Sequence, residues 1–122
     1  MRRFLKLLAL CLAMSWVAVP PVFAHAFLDR AIPSVGGTVG GSPREIRLFF
    51  TQGVVAAFSH VHVVSDAGVA IPVSKPVNDP SDKAIMVVRL GRALGPGTYS
   101  VSWQVVSVDT HTTQGTFSFT VS

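Results

Sequence analysis

Cysteine is nearly missing from this 122-residue chain. Cys11 is the single example, and it lies in an apolar leading segment. Everything after that segment can form neither a disulfide nor a thiolate metal site, although an exported protein's compartment would permit disulfides. Methionine is equally sparse: beyond residue 24 only Met86 remains. A soft thioether site for a monovalent metal needs several methionines, so none is expected, and Met86 reads as a core residue. Charge is thin too, at 13% of residues. Beyond residue 24 there are seven cations and six acids, a net charge of about +1 with histidine neutral. Arg30, Arg44, Arg47, Lys75, Lys83, Arg89 and Arg92 are scattered along the sequence. Nucleic-acid or anionic-membrane binding calls for a dense basic patch, which this pattern does not supply. No stretch sustains a helical period, no internal repeat stands out, and no second long apolar run follows the first.

The leading segment has the composition of an address label. Arg2, Arg3 and Lys6 precede the apolar run Leu7–Val19, and Pro20 and Pro21 end its helical potential. At 13 residues the run is shorter than the ~20 that a spanning helix needs. Val22-Phe23-Ala24 fits the small-x-small cleavage rule, so residues 1–24 are expected to be a signal peptide cut after Ala24. A lipoprotein reading of Cys11 is weak, because Leu10 stands where a small residue is wanted. Residues 25–122 are then one soluble domain with one core, exported to the periplasm.

Within it, short β patterns follow one another about every ten residues, separated by turn residues. A first strand is expected over Ala26–Ala31. Pro33–Pro43 reads as a Gly-rich loop. Glu45–Thr51 places Ile46, Leu48 and Phe50 on one face. Phe58–Val64 puts His60 and His62 on one face and Val61 and Val63 on the other. Asp66-Ala67-Gly68 signals a hairpin returning over Val69–Val73, Pro76–Asp82 reads as a second polar loop, and Ala84–Leu90 is again β-rich. Tyr99, Val101, Trp103 and Val105 alternate with polar residues, and so do Phe117, Phe119 and Val121. About seven strands in this rhythm describe an all-β Greek-key sandwich or barrel of immunoglobulin-like type.

Between the last two strands the stretch Val108–Gly115 reads as a loop carrying Asp109 and His111. Cleavage after Ala24 would make His25 the first residue. A terminal histidine offers two nitrogens to one ion, its α-amine and ring Nδ1, in a six-membered chelate. An α-amine titrates near pH ~8, so it gives up its proton at little cost close to neutrality. With the His111 imidazole and an Asp109 oxygen, the set is three nitrogens and one oxygen. In tetragonal array such donors favour Cu(II), and in tetrahedral array they suit Zn(II). The scheme requires the first strand to end beside the last hairpin.

The sequence resembles the CopC family of periplasmic copper-binding proteins. The resemblance rests on His25-Ala26-Phe27-Leu28, the Pro33–Gly41 loop, Ile46–Thr51, the run Gly97–His111 and the closing Gly115–Val121. It implies a seven-stranded Greek-key β fold, tight binding of one Cu(II), and His25, Asp109 and His111 as ligands. It also implies a CopD-type membrane protein as partner, with copper sequestered or delivered for homeostasis or resistance. Two departures stand out. The Met-rich Cu(I) segment of many members is missing. Where many members read Phe-Ser-Glu, this chain has Phe50-Thr51-Gln52, and Gln52 can offer only a neutral oxygen or a hydrogen bond.

Two other classes of function compete. Lytic polysaccharide monooxygenases also bind copper through a histidine exposed by cleavage, but 98 residues leave little room for a polymer-docking surface, and an Asp ligand would favour Cu(II) over Cu(I). A metal-free β-sandwich interaction module is the third reading. The expectation is a binding protein rather than an enzyme. His60 and His62 read first as a solvated strand face, and second as a weak accessory metal site, since two imidazoles at i, i+2 on a strand can share an ion.

Overall fold

The computed structural model describes residues 25–122. The expected signal peptide and its cleavage site lie outside the described residues, apart from the new first residue, His25. The described chain is all β except for one 3₁₀ turn, Ala56–Phe58. The strands are β1 (Leu28–Ile32), β2 (Thr38–Val39), β3 (Glu45–Phe50), β4 (His60–Ser65), β5 (Ala70–Ile71), β6 (Val77–Asp79), β7 (Asp82–Arg89), β8 (Gly97–Val106) and β9 (Thr112–Val121). They form two sheets in the orders β1-β3-β7-β6 and β2-β9-β8-β4-β5. The pairings are antiparallel except β2 with β9, which is parallel.

Alternating hydrophobicity explains the layering. On β3, Ile46, Leu48 and Phe50 are buried while the residues between them are half exposed. On β8, Tyr99, Val101, Trp103 and Val105 face inward, and on β9 Phe117, Phe119 and Val121 do the same. Side chains of period two from both sheets thus meet in one core. Met86 is fully buried there, as its isolation in the sequence suggested. Trp103 packs edge-on against Phe50 at 5.2 Å and lies opposite Gly115 on β9. A Cβ at Gly115 would come within 2.5 Å of the Trp103 ring, so only glycine admits the indole. The Tyr99 hydroxyl donates to the Gly95 carbonyl at 2.7 Å and pins the turn that enters β8.

Three details differ from the sequence reading. Both expected loops contain strand: Thr38–Val39 of Pro33–Pro43 joins β9, and Val77–Asp79 of Pro76–Asp82 joins β7. These pieces have two and three residues, too short to show a period. The hairpin loop is also tighter than Val108–Gly115, because β9 begins at Thr112. The polar, glycine-containing run Thr112–Gly115 hid a strand whose outward side chains are hydrophilic. Finally, the cations scattered in sequence are partly gathered in space. Arg44, Arg89 and Arg92 ring a depression of about 850 Å³ where β3 begins and β7 ends.

Candidate metal centre

The site is built at the end of the sandwich where β8 turns into β9. The chain reverses over Ser107–His111. The Ser107 amide donates to the His111 carbonyl at 2.8 Å, and the Thr110 amide donates to the Ser107 carbonyl at 2.9 Å. Thr110 takes a left-handed φ of 72°, which a residue with a β-carbon adopts at a cost of roughly 1–2 kcal/mol. The turn is braced from the side, where Val108 N–H donates to the Gly53 carbonyl at 3.0 Å and Val55 N–H to the Val106 carbonyl at 2.7 Å. Ser107 is buried, at 1% exposure. Its hydroxyl donates to the Asp109 carboxylate and accepts the His111 amide. Asp109 Oδ1 lies 3.3 Å from His111 Nδ1. The Ser107 hydroxyl first, and His111 second, hold the Asp109 carboxyl below the usual carboxylate range, so it is anionic at neutral pH.

The first residues are fastened onto this hairpin. Thr51, at the end of β3, accepts the Phe27 amide on its Oγ1 at 3.0 Å, and the same hydroxyl donates to the His25 carbonyl at 3.1 Å. The Thr51 amide donates to the Phe27 carbonyl at 2.9 Å. From the other sheet, Thr113 Oγ1 donates to the Ala26 carbonyl at 2.6 Å. Ala26 is fully buried. With its neighbour held on both sides, His25 has little freedom, and its ring meets the His111 ring edge-to-face at a centroid separation of 4.9 Å. Phe27, 57% exposed, stands edge-on to the other side of His25 at 6.2 Å.

The structure therefore brings the His25 ring beside His111 and Asp109 beside His111, and leaves His60 and His62 outside this group on the exposed face of β4. Metal–nitrogen bonds of about 2.0 Å would put the centroids of two imidazoles on one ion roughly 4.5–6.5 Å apart, so the ring spacing suits a shared ion. Among the described residues no three His, Cys, Asp or Glu side chains already converge as a metal cage. An ion held here would need a further donor besides these side chains. Gln52 Nε2 is buried without a hydrogen-bond partner.

Sequence reasoning missed the fasteners. Thr51 and Ser107 carry no metal chemistry and read as ordinary β residues, and Thr113 read as part of the hairpin loop. Their position one or two residues from a strand end, next to candidate ligands, was the available signal.

Comparison with known proteins gives this geometry a family. The CopC domain matches residues 28–122. The chain is 34% identical over 113 residues to Protein YobA of Escherichia coli K12, covering 93% of this chain and 91% of that one. The crystal structure of CopC from Methylosinus trichosporium OB3b superposes with a TM-score of 0.74 at 29% identity, over 80% of this chain and 93% of that one. PcoC, a methionine-rich copper resistance protein from Escherichia coli, superposes with a TM-score of 0.73 at 28% identity, over 81% and 100%. The all-β two-sheet fold and the resemblance read from the sequence both stand. The chain belongs to the CopC family, a family of copper resistance proteins rather than enzymes.

Proposed function

We propose that the mature protein is a periplasmic Cu(II) carrier that holds one ion between its own first residue and the β8–β9 hairpin. Residues 1–24 are removed on export. The α-amine and Nδ1 of His25 chelate the ion, His111 adds a third nitrogen, and Asp109 adds an anionic oxygen. The observation that carries this reading is the 4.9 Å approach of the His25 and His111 rings from opposite ends of the chain, with Asp109 beside His111. The donor that the side chains lack is the amine that cleavage would create. Nitrogen donors with one carboxylate suit Cu(II), which heads the Irving–Williams order. Met86 is fully buried, so it offers no surface thioether for Cu(I). The ion is either sequestered or passed to a CopD-type membrane protein. Among the described residues no helix is long and apolar enough to cross a membrane.

Titration of the processed protein, starting at His25, with Cu(II) tests this directly. One tight equivalent with a d–d absorption band is expected. Absence of tight binding by protein with a free His25 amine would overturn the proposal.

A further inference from the structure

We propose that His60 and His62 form a second, weaker Cu(II) site on the outer face of the five-stranded sheet. The two residues are exposed on β4, with Val61 buried between them and Val63 buried after them. Residues two apart on a strand share a face, with Cα atoms about 6.6 Å apart, and side chains lean along the strand. Two imidazoles so placed can incline toward each other and bring one nitrogen each to within about 2.0 Å of a single ion.

The surroundings favour a cation. His60 pairs with Gln104 and His62 with Ser102 on β8, and these pair in turn with Gln114 and Thr116 on β9. Together they line an open hollow of about 630 Å³ on the outer face of the sheet. No lysine or arginine lines it, so no resident cation competes or repels. Its amides and hydroxyls supply neutral oxygens to complete the coordination. No carboxylate lines it either, which is why the ion is held weakly. Nor is this stretch covered from the other side, because β5 pairs only with Val63 and Val64. That leaves His60–His62 on an open sheet edge, where strands commonly place lysine against mispairing. Here the edge carries two ligands instead.

The position also relates to the hairpin. Ser59, next to His60, accepts the Val106 amide on its hydroxyl at 3.2 Å, and Val106 adjoins the Ser107 that organises the turn. The pair thus begins on the same sheet near the end where β8 turns toward His111.

Amide NMR of the processed protein, with Cu(II) added past one equivalent, tests the proposal. Paramagnetic broadening of His60, His62, Ser102 and Gln104 is expected with the second equivalent. In the His60→Gln/His62→Gln variant, the affinity for that equivalent should fall about tenfold or more, with the first equivalent unchanged. Both positions are exposed, and the circular dichroism spectrum of the variant reports whether it folds. If it does not, the broadening map of the unaltered protein decides alone. Broadening that spares β4, or a second equivalent indifferent to the double substitution, would overturn the proposal. In His111→Ala the β4 broadening should survive with the first equivalent added. Failure of the hairpin site is thereby separated from failure of this one.

Discussion

Two histidine pairs of this molecule are made in opposite ways. His60 and His62 are neighbours by the pleat of a single strand, and nothing beyond that strand sets their spacing. His25 and His111 are strangers in sequence, brought ring to ring by hydrogen bonds from two sheets. The first pair exists wherever β4 exists. The second exists only when the whole sandwich is closed, since Thr51 holds the first residues from one layer and Thr113 from the other. A pleat fixes a face but not a geometry; a set of fasteners fixes both. The difference accounts for why the hairpin pair should bind tightly and the strand pair loosely.

That contrast can be broken most forcefully at the amine. One extra residue ahead of His25 leaves both imidazoles in place and removes the chelate ring. Affinity for the first Cu(II) should fall about 100-fold or more by competition titration, while the strand pair is untouched. His111→Ala should cost a similar factor. Loosening the fasteners is the next largest effect. Thr113→Val leaves the buried Ala26 carbonyl unpaired, at a cost of about 1–3 kcal/mol in denaturant unfolding, and should weaken copper binding about tenfold through a less confined His25. Thr51→Val should act in the same direction. Milder still is Asp109→Asn, which keeps a neutral oxygen and loses the charge. A few-fold drop in affinity is expected, with a visible shift of the d–d band.

The smallest effect concerns a carboxylate that touches neither pair and serves as their control. Asp79 is held at a pKa of about 2, chiefly by the Ser81 hydroxyl and amide and then by Arg47, whose guanidinium is 3.0 Å away. A depressed carboxylate contributes stability that is complete above its unfolded pKa near 4. That contribution is lost as pH falls toward 2. Acid unfolding followed by tryptophan fluorescence should therefore show Asp79→Asn less sensitive to pH between about 4 and 2. Its copper affinity at neutral pH should match the parent.

The two pairs also mark what the sequence made legible. Strong alternation on β3, β8 and β9 displayed the core and the fold class, because a period of two over six to ten residues has few other meanings. The outward face of His60 and His62 followed from the same rule. Asp109 and His111 were conspicuous because they sit two apart in a turn between the best strands. Their meeting with His25 came only as a requirement of the chemistry and through resemblance, since no local pattern encodes contact between residues so far apart. The short strands β2 and β6 escaped because two or three residues carry no period and owe their pairing to neighbours already in place. Thr51 and Thr113 escaped for a related reason: a threonine looks the same in sequence whether or not its hydroxyl ties down another segment.

The complete burial of Ala26 has a consequence for timing. On the proposed processing, only one residue separates the cleaved bond from a position locked in the interior. The leader peptidase must therefore act before the domain closes, or work on an unlatched end. Until it does, His25 has no free amine, and on the proposed chemistry the chain would not hold Cu(II) tightly. On the proposed reading, arming the molecule is thus coupled to removal of its leader, with no separate regulator required.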